Sequence, residues 1–376
     1  MTIKKIGQQA KQVARLLGNL STKDKNTVLG NLSLALEQRK EDIFIANHKD
    51  LEYLEQQGIT GAFYERLTIT ENTINSMIEG LKNVIQLEDP IGLIQDDFNR
   101  PNGLRVQKIS VPMGVVAIIY ESRPNVTIDA FALTFKSGNA VILKGGKEAI
   151  HSNQIFVEII QETLKNANIS QNAVQLFTPK DREETKTLMK CNEYIDLLIP
   201  RGSAALIKAV VEESTIPVIE TGAGNCHVYI DQSANIDMAI SITYNAKIQR
   251  PSVCNSCETI LVHETIAESF LTKLNQVFKD KVSIYGDRFV QQYMDDALEA
   301  TDDEYGKEFN DYIVAIKVVS SLEEAINHIN MYSTSHSEVI VTDDNETAEI
   351  FLKNIDSAAV YHNASSRFTD GFEFGF

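Results

Sequence analysis

The chain has 376 residues, a formal net charge of −17 and a hydrophobic content of 43%. Because single cores stop growing near about 250–300 residues, this length predicts two or three domains. The acidic balance argues against nucleic acid as a partner, because duplex binding depends on clustered Lys and Arg. We find no secretory signal near the N-terminus and no apolar window long enough for a membrane span, so we expect a cytoplasmic protein.

The N-terminal segment, residues 1–86, has the pattern of consecutive helices. Its clearest apolar stripe has i, i+3, i+7 spacing and is formed by Leu29, Leu32 and Leu36. Either Ser21 or Thr22 can cap that helix. A turn at residues 100–103, Arg-Pro-Asn-Gly, with alternating apolar residues after it, predicts a β-hairpin, because Asn-Gly accepts the positive φ of such turns.

After Met113, short apolar runs alternate with helical patterns. The first series of predicted strands is GVVAIIY, AVILKGG, AVQLF, IDLLIPRGS and PVIETG. The second series is CHVYI, ETILV, KVSIY, YIVAIKVV, SEVIVT and SAAVYHN. Strands that alternate with helices indicate parallel sheets buried on both faces, so we expect an α/β protein with two doubly wound domains. Residues 222–224, Gly-Ala-Gly, suit a hinge between the two series.

The first series offers two places for a phosphate group. Gly202 and Ser203 follow a strand and precede a helix, where N–H groups and the helix dipole favour anions. Lys144 ends another strand, at the sheet edge where α/β proteins bind ligands. Neither a G-x-G-x-x-G motif nor a Walker A motif supports these sites, so an ordinary helix cap and a solvated strand end stay open as alternatives.

The stretch QRPSVCNSCETILVH places Cys254 and Cys257 three residues apart. A redox dithiol normally leads into a helix, whereas a strand is predicted here, and a zinc site needs two further ligands. A single nucleophilic thiol requires stabilisation of the thiolate, which N–H groups after Pro251 could provide with Lys247 or Arg250. A buried structural thiol is the remaining alternative. With no export signal, we expect reduced cysteines and no metal.

Five co-linear motifs carry a resemblance to a known family. They are VPMGVVAIIYESRPNVTIDAFALTFKSGNAVILKGGKEA, IPRGSAAL, VIETGAGNCHVYID, NAKIQRPSVCNSCETILVH and NASSRFTDGFEFGF. In this order they resemble the gamma-glutamyl phosphate reductases, also called glutamate-5-semialdehyde dehydrogenases. These enzymes form an acylating branch of the aldehyde dehydrogenase superfamily.

The resemblance implies an NADP(H)-dependent oxidoreductase of proline biosynthesis. It would reduce L-glutamyl 5-phosphate to L-glutamate 5-semialdehyde and release phosphate. Cys254 matches the family's catalytic cysteine and would form a thioester, which hydride transfer then reduces. Asn125 matches the asparagine of the oxyanion hole. Glu220 matches the base of hydrolytic relatives, and we assign it a structural or proton-handling role here.

The resemblance also implies how the ligands bind. Lys144 would lie at the adenosine ribose, Gly202 and Ser203 beside the pyrophosphate, and Glu308 at the nicotinamide ribose. Three arginines are candidates for the phosphate and carboxylate of the substrate, namely Arg123, Arg250 and Arg367. The small-molecule partners would therefore be glutamyl phosphate, glutamate semialdehyde and phosphate.

An aldehyde-dehydrogenase-like architecture is expected from this resemblance. Residues 1–94 and 113–219 would form the NADP(H)-binding domain, and residues 220–361 the catalytic domain. Residues 95–112 and 362–376 would form an oligomerisation segment. Family members continue for a few dozen residues beyond FEFGF, including a strand that pairs across subunits. We therefore expect an incomplete segment and weakened assembly of the homo-oligomer.

Other functions remain open from the sequence. A hydrolytic aldehyde dehydrogenase would use Glu220 as a base and would not need phosphate. A truncated, inactive chain would bind a dinucleotide or a partner without turnover. A sensor switched through Cys254 and Cys257 would bind metal or lose thiols on oxidation.

Overall fold

Two compact units divide the structure, which is a computed structural model describing residues 2–121, 123–219 and 224–369, without the side chains of residues 62 and 204. The first unit is Met1–Thr221 and the second is Gly222–Phe376. Each unit contains one parallel sheet, which confirms the predicted α/β fold. Among the described residues, no helix has both the length and the apolarity needed to cross a membrane.

Helices form the start of the first unit, as the apolar spacing predicts. They are α1 Ile3–Leu17, α2 Thr22–Gln38, α3 Lys40–Gln56, α4 Ala62–Leu67 and α5 Glu71–Gln86. The predicted stripe of α2 is fully buried at Leu29, Leu32 and Leu36. Ser21 is the N-cap of α2, and its hydroxyl accepts a hydrogen bond from the Asp24 N–H.

The predicted hairpin is present, with β1 Ile94–Asn99 antiparallel to β2 Arg105–Ile109. Positive φ occurs at Gly103, with a value of 85°, while Asn102 is not among the positive-φ residues. The Asn102 side chain instead accepts a hydrogen bond from the Leu104 N–H at 3.1 Å. Asn102 therefore supports the turn through its side chain, and the left-handed backbone conformation falls on the glycine.

The sheet of the first unit has four parallel strands in the order β5-β4-β3-β6. These strands are β3 Val115–Tyr120, β4 Ala140–Lys144, β5 Val174–Leu176 and β6 Leu197–Arg201. The helices that alternate with them are α6 Val126–Lys136, α7 Ile150–Asn166, α8 Arg182–Met189 and α9 Ala204–Glu213. Every residue of the central strand β3 is buried, because helices cover both faces of the sheet.

The prediction of a fifth strand in this series, PVIETG, is wrong for the described residues of that segment, 217–219. Only one isolated parallel bridge forms there, between Val218 and Leu198. Leu198 donates its N–H to the Pro217 carbonyl at 2.9 Å and accepts from Ile219 at 3.0 Å. Since proline has no N–H, it cannot extend this pairing towards the N-terminus.

The second unit has a seven-stranded parallel sheet in the order β10-β9-β11-β8-β7-β12-β13. Its strands are β7 Cys226–Ile230, β8 Cys257–His263, β9 Ser283–Gly286, β10 Leu298–Glu299, β11 Ile313–Val319, β12 Ser337–Val341 and β13 Ala359–His362. Its helices are α10 Ile236–Ile248, α11 Ala267–Phe278, α12 Arg288–Gln291, α13 Asp302–Tyr305, α14 Leu322–Tyr332 and α15 Asn345–Asn354. All six predicted strands are present, and the two-residue strand β10 was not predicted.

The core of the second unit lies on both faces of its sheet. Val228 and Ile230 of β7 belong to one hydrophobic cluster, whereas Tyr229 between them belongs to another. Successive side chains of a strand point to opposite faces, so this alternation shows a sheet covered on both sides. The loop that carries Cys254 enters this buried sheet directly at β8.

Candidate active site

Cys254 lies in the loop between α10 and β8. Helix α10 ends at Ile248, just before Arg250 and Pro251, because a proline ring disfavours helical backbone in the residue before it. Turns occupy the next positions, and β8 begins at Cys257. No helix follows Cys254, as expected from the strand pattern, so the loop lacks the geometry of a redox dithiol.

Burial distinguishes Cys254 from the other three cysteines. All four lie in the described part of the chain, none forms a disulfide, and Cys254 is the exposed one. Burial raises the pKa of the thiols of Cys191, Cys226 and Cys257 above their ordinary value. A thiol that resists ionisation is a poor nucleophile, so the structure favours Cys254 over its neighbour in the sequence motif.

Cys257 is fully buried at the start of β8, and its thiol donates a hydrogen bond to the Thr259 carbonyl at 3.3 Å. Such a position disfavours a partner role in thiol–disulfide exchange, which requires an accessible thiolate. In the described ranges, no group of three or more His, Cys, Asp or Glu side chains is arranged to hold a metal ion. Neither a redox pair nor a zinc centre is supported by this geometry.

The Cys254 carbonyl is held closely from the segment that leads into β7. The Cys226 thiol donates a hydrogen bond to this oxygen at 3.2 Å. A Cβ atom at Gly224 would lie 1.4 Å from the same oxygen, so only glycine fits there. Gly224 is part of the predicted hinge, whereas Gly222 and Ala223 lie outside the described residues.

Glu308 belongs to the same part of the second unit. Its Oε1 accepts a hydrogen bond from the Gly224 N–H at 2.7 Å, although 84 residues separate the two in sequence. The structure thus brings Glu308 to the glycine that packs against Cys254. Glu308 is half-buried, which differs from the solvated charge that its local sequence suggests.

Lys247 forms a fully buried ion pair with Glu258, at 2.9 Å between Nζ and Oε2. The same carboxylate oxygen accepts the Phe309 N–H at 3.3 Å. Burial raises the pKa of Glu258 to about 7, while Lys247 opposes that shift. The structure thus pairs the Lys247 ammonium with Glu258, and a role for Lys247 in stabilising a thiolate at Cys254 stays a prediction. Sequence reasoning missed Glu258, which looks like an ordinary strand residue.

Two of the candidate substrate arginines lie on segments attached to the Cys254 loop. Arg250 is exposed and immediately precedes Pro251 in that loop. Arg367 lies in a short 3-10 turn, where Ser366 donates a hydrogen bond to the Asn255 carbonyl at 2.7 Å. Asn255 in turn donates to the Thr369 carbonyl at 2.8 Å. The third candidate, Arg123, belongs to the first unit.

The candidate anion turn of the first unit is filled by a carboxylate. Glu121 accepts the Ser203 hydroxyl at 2.6 Å and the Ser203 N–H at 3.0 Å. A Cβ at Gly202 would lie 2.6 Å from the Glu121 carboxyl carbon, so the glycine lets this carboxylate approach the turn closely. Ser203 also caps α9 by accepting the Leu206 N–H. Sequence reasoning found the turn but missed the carboxylate that occupies it.

Lys144 and Asn125 also lie in the first unit. Lys144 ends β4 half-buried, and burial lowers its pKa while Glu148 and Glu121 act in the opposite direction. Asn125 precedes α6 and donates from Nδ2 to Asp129 at 3.2 Å. Glu220 lies outside the described residues, so its role stays a prediction.

Comparison with known proteins gives the class to which this fold and site belong. The model of the aldehyde dehydrogenase family matches residues 1–292, which is more than half of the 376 residues. The chain therefore belongs to the aldehyde dehydrogenase family.

Its relatives narrow this class further. A gamma-glutamyl phosphate reductase from Enterococcus faecalis is 49% identical over 375 residues, covering 100% of this chain and 90% of the relative. One from Carboxydothermus hydrogenoformans is 50% identical over 372 residues, with coverage of 99% and 90%. The crystal structure of gamma-glutamyl phosphate reductase from Thermotoga maritima has a TM-score of 0.96 at 40% identity, with coverage of 100% and 91%. The resemblance to this branch is confirmed.

Replacing Lys247 should show how much stability is lost when Glu258 is buried without its ion-pair partner. Lys247→Met should lower the free energy of unfolding by about 3–5 kcal/mol, whereas the double variant Lys247→Met/Glu258→Gln should lose much less. The folded-state pKa of about 7 lies above the ordinary 4.5, so the stabilising contribution of this carboxyl is present below pH 4.5 and lost as pH rises through 7. Urea unfolding should therefore show a larger cost of Lys247→Met at pH 8 than at pH 6. Equal costs at both pH values, or equal costs for the single and double variants, would contradict this assignment.

Gly224→Ala should displace the Cys254 loop, because the added methyl group overlaps the Cys254 carbonyl. We expect the alkylation rate of Cys254 by iodoacetamide to change by about tenfold or more, since misplacement of about 1 Å can cost about 100-fold in activity. The control is Gly30→Ala in α2, where no atom lies within 4 Å of the new Cβ. That variant should keep the wild-type rate and gain up to about 1 kcal/mol of stability. A wild-type alkylation rate in Gly224→Ala would sink the steric argument.

Proposed function

We propose that this chain reduces L-glutamyl 5-phosphate to L-glutamate 5-semialdehyde with NADPH, releasing phosphate, through a thioester on Cys254. The observation that carries this proposal is that Cys254 is exposed, whereas the other three thiols are buried. The carbonyl of Cys254 is held by a hydrogen bond from Cys226. Relatives named gamma-glutamyl phosphate reductase, at close to half identity over nearly the whole chain, support the choice of substrate.

The covalent step is acyl transfer to sulfur. The Cys254 thiolate attacks the acyl carbonyl, the C–S bond forms, and the C–O bond to phosphate breaks with the electron pair leaving on phosphate. When bound, the reduced nicotinamide supplies the hydride that converts the thioester to a thiohemiacetal on Cys254. The C–S bond then breaks, which releases the aldehyde and restores the thiolate.

Negative charge develops on the carbonyl oxygen at each tetrahedral stage. We assign Asn125 and the Cys254 N–H as donors to this oxygen, since loss of one such donor typically costs about 100- to 1000-fold in rate. Glu220 is assigned to structure or proton handling, because hydrolysis would consume a thioester that must be reduced. These roles rest on the family match.

The residues of the first unit fit the cofactor's phosphates. The turn at Gly202 and Ser203 donates two hydrogen bonds to a carboxylate, and this capacity to bind an anion at a helix N-terminus supports its assignment to the diphosphate. Lys144 is assigned to the 2′-phosphate that distinguishes NADP(H) from NAD(H). Glu308 is assigned to the nicotinamide ribose, supported by its contact with Gly224.

Substrate anions require cations near Cys254. Arg250 and Arg367 are assigned to the phosphate and carboxylate of the substrate, because both lie on segments bonded to the Cys254 loop. Arg123 is a third candidate from the first unit. Guanidinium groups suit this task, since they bind carboxylate and phosphate in a bidentate manner.

The hairpin supports a homo-oligomer as the working state. Its large apolar side chains are exposed, namely Leu93, Ile94, Phe98, Leu104 and Ile109. An exposed two-stranded hairpin is marginally stable alone, and its open edges favour pairing with another chain.

Activity should require both Cys254 and phosphate. NADP⁺ reduction is followed with glutamate semialdehyde, with and without phosphate, in the wild-type chain and in Cys254→Ala. We expect turnover that depends on phosphate and falls below about one part in 1000 in the variant. Equal turnover without phosphate would instead identify a hydrolytic aldehyde dehydrogenase. Binding of NADPH without any turnover would identify an inactive dinucleotide-binding chain.

Lys144→Met should weaken discrimination for the 2′-phosphate. Because a charged hydrogen bond contributes about 1.5–3 kcal/mol, the NADPH-to-NADH ratio of kcat/KM should fall by about 10- to 100-fold. Calorimetric binding of 2′,5′-ADP gives a readout without turnover. Lys165→Met, at an exposed position on α7, is the control and should behave like wild type. An unchanged ratio in Lys144→Met would remove Lys144 from the cofactor site.

A further inference from the structure

Cys226 is the first residue of β7 and is completely buried, yet its thiol is directed at the loop of another cysteine. Its Sγ lies 3.2 Å from the Cys254 carbonyl oxygen, 28 residues away in sequence. Strand β7 pairs in parallel with β8, which places Cys226 beside Cys257 at the point where the Cys254 loop enters the sheet. The hydrogen bond therefore joins the start of β7 to the loop that leads into β8.

The surroundings of Cys226 keep its thiol protonated. Glu338 of β12 is fully buried and accepts the His227 N–H at 2.7 Å, next in sequence to Cys226. Burial first, and then the negative charge of Glu338, raise the pKa of Cys226 well above its ordinary value. A thiol that stays protonated is a permanent hydrogen-bond donor and does not compete as a nucleophile.

The Cys254 carbonyl is confined from a second direction. Gly224 approaches so closely that an added Cβ would lie 1.4 Å from the oxygen and 2.2 Å from the carbonyl carbon. Gly224 is itself held by Glu308 through its N–H. Because the peptide group is planar, fixing this oxygen fixes the peptide plane after Cys254. The direction of the Cys254 side chain then has less freedom.

We propose that Cys226 is a positioning residue for Cys254, holding the Cys254 carbonyl with its S–H so that the reactive thiol points in one direction. This inference rests on the proposed function, in which Cys254 is the nucleophile. Cys226 itself does not contact the substrate. Its contribution is to reduce the number of orientations that the loop samples before acyl transfer, which is where misplacement is costly.

Two pairs of variants test the hydrogen bond at nearly constant side-chain volume. The Ser variant has a hydroxyl donor that the Ala variant lacks, and the Thr variant has one that the Val variant lacks. The two members of each pair therefore differ mainly in the donor. Cys226→Ala and Cys226→Val should lower kcat and the iodoacetamide alkylation rate of Cys254 by about fivefold, the value of one hydrogen bond near 1 kcal/mol. Cys226→Ser and Cys226→Thr should recover most of both rates. If the Ala variant does not fold, the larger Val/Thr pair still decides the question.

The matched control is the pair Cys257→Ser and Cys257→Ala. This thiol is equally buried, but it donates to the Thr259 carbonyl and not to Cys254. Both control variants should keep the alkylation rate of Cys254. Peptide mass mapping locates the label, and the rate is recorded over the full pH profile. A positioning role also predicts that KM changes less than kcat.

The outcomes separate this inference from the proposed function. The positioning role alone would be overturned if Ser and Ala at Cys226 gave equal rates and Thr and Val did so too, while Cys254→Ala stayed inactive. Loss of rate in Ser and Ala alike would show a packing role and would also overturn it. Retention of activity in Cys254→Ala would instead overturn the proposed function. Donor-dependent rates at Cys226, absent at Cys257, would support the positioning role.

Discussion

The unequal burial of four thiols is the constraint on which the chemistry of this chain depends. Ionising a buried thiol carries the cost of removing an anion from water, and three of the four cysteines bear that cost. Cys254 avoids it because Pro251 ends the regular structure before it and β8 begins only after it. Packing thus leaves Cys254 as the accessible thiol.

Three carboxylates organise the segments around that sulfur. Glu308 accepts the Gly224 N–H, Glu258 accepts the Phe309 N–H, and Glu338 accepts the His227 N–H. Each of these hydrogen bonds holds a backbone N–H in place. Because Glu308 and Phe309 are adjacent, the bonds also link the segment that leads into β7 to the start of β8. Glu258 is in addition paired with the buried Lys247.

Periodicity and turn chemistry were enough to predict most strands, most helices and the hairpin, because those features depend on local residue spacing. The motif around Cys254 was also readable, since a proline before and a strand after exclude the helix of a redox dithiol. Glu258 and Glu121 could not be found this way. Their importance comes from partners such as Lys247 and Ser203, which are set by tertiary packing and which no local pattern encodes. The failed strand at Val218 shows the converse limit, because an apolar run does not reveal whether its N–H groups find partners.

The central claim is that Cys254 carries the acyl group, and trapping that group tests it most directly. The full chain is incubated with glutamate semialdehyde and NADP⁺ without phosphate, quenched in acid, digested and mapped by mass spectrometry. We predict a glutamyl thioester on the peptide that contains Cys254, and it should disappear when phosphate is added before the quench. An acyl group on another residue, or turnover with no acylated peptide at any time, would contradict it.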